Sequence, residues 1–325
     1  MTPLKFEQLY EAEWQELHKA LQQIRKPMSF ARTAAIRGER VAWLYRRACE
    51  QLALARARSY PGHLTDRLEQ LTADGHQLIY QRPELGLSRL KRFLLVGFPG
   101  AVRAHAPFIG VALLAFLLPA LGLGVLVYLR PELVLTVVDS STAAEFEQMY
   151  SHSAEALGRP RAAHTDWEMF GYYIDNNISV AFQCFGSGLF AGAGSLFFLA
   201  FNGAYSGAIA GYLTRRGHAS NFYSFIATHT AFELTAIVLA GAAGLRVGYA
   251  LLSPGRRTRV QALTRAAQEC IPIMYGVAGM LLVAAALEAF WSSATWVPLP
   301  IKYTLAALCW ATVLGYLTRQ GRHAG

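Results

Sequence analysis

His229 and Glu233 stand one helical turn apart inside the apolar stretch 222–252, and a second acid, Glu288, sits in another apolar run, AALEAF. An ionisable side chain at bilayer depth costs about 2.5–3.5 kcal/mol even on lenient insertion scales, so these groups are expected to face protein or water. One imidazole and two carboxylates could coordinate a metal, relay protons or bind a cation. The same groups could instead form a buried hydrogen-bonded cluster with Thr228, Thr230, Thr235 or Asn202 that ties helices together. The spacing is HxxxE with no second histidine, so the HExxH pattern of metalloproteases is absent. No phosphate-binding GxxxxGK[ST] loop, GxSxG elbow or CxxC pair occurs either. Ordinary soluble-enzyme chemistry therefore has no foothold.

The glycines form a second pattern. Gly203, Gly207 and Gly211 are spaced four apart, and the pairs Gly188/Gly192 and Gly244/Gly248 repeat the step. Small residues at this spacing let helix backbones approach closely in a bilayer, either within one chain or between two copies. Asn176 and Asn177 precede an apolar run and are expected to cap its helix.

These residues need long apolar helices to position them. Hydrophobic residues make up 54% of the 325 positions and the mean hydropathy is +0.26, which points to an all-α polytopic membrane protein. Tyr10, Trp14, Leu17, Leu21 and Ile24 share one helix face, with Pro27 beyond it. Val41, Leu44, Tyr45, Ala48, Leu52 and Ala55 mark a second amphipathic helix, and Leu64, Leu68, Leu71 and Leu78 a third. Residues 1–92 are thus expected to form a cytoplasmic helical bundle. From Pro83 onward Arg89, Lys91, Arg92 and Arg103 are mixed with leucines and phenylalanines, so 93–105 is expected to lie in the membrane interface.

Residues 106–129 carry no charge and are long enough to span. Pro107 and Pro119 are candidate kink sites within them. An acidic loop over 130–177 follows, then a membrane core over 178–318 and a tail over 319–325. Inside the core, the stretch 178–213 exceeds one span. Its interruption is expected at Asn202–Gly203, leaving 204–213 as a half-helix beside a broken helix. Spans at 222–244, 271–291 and 301–318 complete about six membrane segments.

Residues 1–105 hold 17 Lys+Arg against 10 Asp+Glu, whereas 130–177 holds three arginines against eight acids. Positive residues stay inside, which puts both termini in the cytoplasm and the acidic loop outside. Arg215 and Arg216 run against that rule. The net charge of +9 flanks apolar spans, where anionic lipid explains it and nucleic acid is not needed. The polar first 30 residues carry no short apolar core, so the first span is expected to direct insertion. Cys49, Cys184, Cys270 and Cys309 are scattered and suggest packing rather than a disulfide framework.

The run DNNISVAFQCFGSGLFAGAGSLFFLAFNGAYSGAIAGYL, followed by ATHTAFELTAIVLAGAAGLRVGYALLSPGRRTR and AALEAF, resembles the stage II sporulation protein M family of bacterial integral membrane proteins. The likeness covers about 170–293 and includes Asn176, Asn177, Asn202, His229, Glu233, Gly244, Gly248 and Glu288. Ser195 stands where the family typically has threonine. The resemblance implies a scaffold in the bacterial inner membrane, without turnover of its own, that recruits envelope proteins or components associated with a MoxR-type ATPase. A homodimer or larger assembly is expected, with lipid as a further partner. No cofactor is required, although a bound metal or lipid is compatible with the residues. A transporter or channel using His229, Glu233 and Glu288, or an intramembrane metal-dependent enzyme using the same three, are the alternatives.

Overall fold

A computed structural model describes residues 1–25, 38–80, 86–151, 163–294 and 296–322, and all regular structure among them is helical. Pro27, Pro83 and Glu155 lie outside the described residues, as do the side chains of Ile24 and Leu78. The chain divides into two compact units, Met1–Gly86 and Leu87–Gly325.

The first unit is built from α1 (Pro3–Arg25), α2 (Gly38–Ala57) and α3 (Gly62–Tyr80). Their apolar stripes meet in a core of Phe6, Trp14, Leu17, Leu21, Leu44, Leu64 and Leu68. Trp14 satisfies its indole by donating to Gln51 Oε1 at 2.6 Å, and Gln51 in turn donates to Glu13 at 3.0 Å. On the surface, Arg67 reaches Glu11 at 2.7 Å and holds that carboxyl below its ordinary range.

In the second unit, α4 (Gly86–Arg92), a π-wound stretch Phe93–Gly97 and α5 (Phe98–Ala104) precede the first span. Leu87, Leu90, Leu94 and Leu95 are exposed beside Arg89, Lys91 and Arg92, the surface expected of an interfacial element. Five helices are long and apolar enough to cross a membrane. They are α6 (Ala106–Leu129), α9 (Ala193–Arg215), α11 (Thr230–Leu252), α12 (Arg259–Ala286) and α13 (Leu299–Arg319). Another helix, α8 (Ala163–Gly186), packs against α9, α11 and α12 in the place of the sixth expected segment. Its three acids, Asp166, Glu168 and Asp175, all precede Asn176. Arg103 donates to the carbonyls of Leu317 and Gln320 at 3.2 and 2.7 Å, satisfying acceptors that the end of α13 leaves open. The beginning and end of this unit therefore lie at the same face.

Helices α6 and α9 run parallel, because Gly203, Gly207 and Gly211 face the carbonyls of Phe116, Ala120 and Gly124 in rising register. The glycine row is filled by a neighbour within the same chain. Gly188 and Gly192 meet α11 in the same way at Gly244 and Gly248. α11 is the central helix, buried without interruption over 236–245.

Several expectations are corrected. α9 runs unbroken through Asn202–Gly203, so 204–213 is no half-helix. In a packed helix pair, glycine is a contact surface and need not end the helix. The break lies earlier, at a 3₁₀ turn Ser187–Leu189 followed by Ala191 and Gly192, with φ of 53° and 85°. Glycine adopts the latter without strain. Asn176 and Asn177 lie in the interior of α8, which starts at Ala163, so neither caps it. α12 begins at Arg259, ahead of the span expected at 271–291, and its start is fixed by a capping box between Thr258 and Gln261.

The acidic segment after α6 forms a 3₁₀ turn, Pro131–Thr136, and α7 (Ser140–Tyr150), both packed on α9. Glu147 accepts from Tyr212 at 2.8 Å and lies 3.8 Å from Arg216. This gives Arg216 a counter-charge of its own. Asp139 caps α7, accepting from Thr142 N at 2.8 Å and from the Ser141 and Thr142 hydroxyls. These bonds favour the carboxylate and lower its pKa to about 2. A group depressed on folding stabilises fully above its unfolded value, near 3.8, and loses that effect as pH falls to about 2. Asp139→Ala should therefore lower the thermal midpoint at pH 7, with the difference from the parent closing between pH 4 and pH 2. Parallel melting curves in one detergent check this, and a gap that widens on acidification would contradict the assignment.

Candidate functional site

The helical ladder of the stretch expected as one span, 222–244, is interrupted. α10 (Ala219–Ile226) ends, residues 227–229 form a turn, and α11 begins at Thr230 with His229 as its N-cap residue. Glu233 lies in the first turn of α11, and its N–H donates to the His229 carbonyl at 3.0 Å. The one-turn relation between the two side chains thus survives, but at a helix start instead of mid-span.

Glu288 comes from the opposite direction. At its end α12 passes into a π-wound segment, Leu287–Ser292, which carries Glu288 and Ser292 four residues apart. Such segments are rare and often occur at functional sites, because widening the turn re-aims side chains. Phe290 is clasped by Trp167 and Phe170 of α8, with ring centroids 5.1 and 5.7 Å away, and this anchors the segment.

The ligand atoms of His229, Glu233 and Glu288 all lie within 4.8 Å of one another. His229 is 3% exposed, and its Nε2 is 3.7 Å from the Glu233 carboxylate. On the other side of the ring, Nδ1 lies 2.9 Å from Ser292 Oγ. With Nδ1 as the donor, the Nε2 lone pair is left on the Glu233 side. Phe225 packs edge-on to the imidazole at 5.6 Å.

Three of the four expected residues are brought together. Asn202 is turned to its own helix, donating to the Phe198 carbonyl at 2.7 Å. Thr228 is buried with its hydroxyl unpartnered, and Thr230 donates to the Ala227 carbonyl at 3.3 Å. The residues that sequence reasoning missed are Ser292, whose partner His229 is 63 positions away, and Asn177, whose expected role as a cap hid it. Asn177 is 2% exposed, lies within reach of Glu288, and has no well-formed hydrogen bond at Nδ2. Lys302 is also buried nearby, but its ammonium donates to the Ser292 carbonyl at 3.0 Å. The four cysteines are free, and Cys184 and Cys270 are buried in the helix packing.

Two family models match the chain. One, described as Stage II sporulation protein M, covers residues 108–293 and so includes His229, Glu233 and Glu288; the other, a domain of unknown function, covers residues 4–81. No curated protein and no solved structure matches.

Proposed function

Because the chain belongs to the stage II sporulation protein M family, we propose that it is a non-enzymatic scaffold of the bacterial inner membrane that recruits protein partners. Both termini are cytoplasmic in this reading, and the α7 segment faces outward. The observation that carries it is the apolar middle of the central helix. Residues 236–245 of α11 are apolar and buried without a gap, so α11 itself offers no polar side chain there to continue a path from the trio at its start. The unit Met1–Gly86 adds a separately cored helical module suited to docking, and membrane lipid surrounds the rest. The assembly is a homodimer or larger, formed through surfaces other than Gly203, Gly207 and Gly211, whose row is filled by α6.

The test is purification of the untruncated protein from its own bacterium under mild detergent, with mass-spectrometric identification of what accompanies it. Envelope proteins or a MoxR-type ATPase and its associates, enriched over an unrelated polytopic control, are the expected result. A clean preparation with nothing above that control, together with proton or cation flux in reconstituted vesicles, would replace the scaffold with a transporter.

A further inference from the structure

We propose that His229, Glu233 and Glu288 form a binding site for one divalent transition-metal ion of the zinc type, which clamps the start of α11 to the π-wound end of α12. Nothing in this depends on the scaffold reading. The three donor atoms converge from two helices and are already within 4.8 Å of one another, so a small closure brings each to the 2.0–2.2 Å that nitrogen and carboxylate donors take around zinc. One imidazole with two carboxylates suits zinc and its neighbours better than calcium or magnesium, which favour all-oxygen sets.

Charge points the same way. Two carboxylates in a water-poor setting repel each other unless a cation or a shared proton joins them. Among the described residues, the one ion-pairing side chain within 4.0 Å of Glu233 is His229, and Glu288 has no such pair. Lys302, the nearby ammonium, spends a proton on a backbone carbonyl.

An independent sign is the buried Asn177 side chain beside Glu288, whose Nδ2 lacks a well-formed partner. Beside a metal, that amide would orient the Glu288 carboxylate as an outer partner. Ser292 is the positioning residue, because its bond to Nδ1 fixes the ring so that Nε2 faces the metal. Three protein ligands leave one position of a tetrahedral ion for water.

The full chain, made without a polyhistidine tag and stripped with chelator, is titrated with Zn²⁺ in detergent by equilibrium dialysis. About one ion per chain is expected. His229→Ala and the isosteric double variant E233Q/E288Q should abolish binding, and Ser292→Ala should weaken it about 10–100-fold. Glu269→Gln, at an acid already paired with Arg246 and Arg265, should leave it unchanged. Should a site variant not elute as a single species, Co²⁺ added to the parent protein decides, since a tetrahedral nitrogen–oxygen site produces strong visible ligand-field bands. A parent protein that binds neither ion, or a folded E233Q/E288Q variant that binds as tightly as the parent, would overturn the proposal.

Discussion

Gly207→Val should yield almost no monodisperse protein on extraction. The first atom of the new side chain would strike the carbonyl of Ala120, with that residue's carbonyl carbon and Cα 2.7 and 2.8 Å away. These are backbone atoms in a neighbouring helix and cannot turn aside as a side chain would. Overpacking against side chains costs about 1–3 kcal/mol. Against a rigid helix the whole α6–α9 contact must open, and α6 is otherwise held on this unit mainly by α11. Gly122→Val on α6 is the control, because a Cβ there meets nothing within 4 Å. Size-exclusion profiles and thermal midpoints of the two variants decide the matter. Equal behaviour of both would mean that α6 and α9 are not packed in this register.

The second large effect is expected at Trp14. Trp14→Ala removes a side chain that is 2% exposed, at about 3–5 kcal/mol for a buried aromatic, and leaves Gln51 with a buried acceptor unmet. Small domains have net stabilities of about 5–15 kcal/mol, so the loss consumes much of what holds Met1–Gly86 together. Limited proteolysis of the full chain should then digest that unit and leave a resistant membrane fragment. Trp14→Phe, which keeps most of the packing and loses the hydrogen bond, should be cut far more slowly. Equal cleavage of the alanine variant and the parent would refute the core assignment.

The amphipathic helices of the first unit were legible because their stripes recur every three or four residues: Trp14, Leu17 and Leu21 are all buried where the period puts them. Phe6 was in phase with Tyr10 and could have been added to that stripe. The membrane helices were legible from uncharged length. What stayed hidden depends on neighbours. Whether FNG ends a helix or serves as a packing face is decided by α6, and the left-handed turn at Gly192 looks in sequence like any other glycine of FAGAG. At the candidate site the meeting of His229 with Glu233 followed from spacing alone. The arrival of Glu288 required the fold, and the contribution of Ser292 required the π-wound turn, which leaves no compositional trace.

The α6–α9 register bears on synthesis as well as on stability. Phe116 and Gly203, Ala120 and Gly207, and Gly124 and Gly211 are each 87 residues apart (203 to 116, 207 to 120, 211 to 124). At translation rates of about 5–20 residues per second, α6 leaves the ribosome roughly 4–17 s before its partner row is complete. For that interval the carbonyl edge later covered by glycines faces lipid or the insertion machinery. A helix with so little polar character can tolerate the wait, because all its backbone bonds are internal. The four-residue ladder of glycines, matched at three successive rungs, specifies one register for the late arrival.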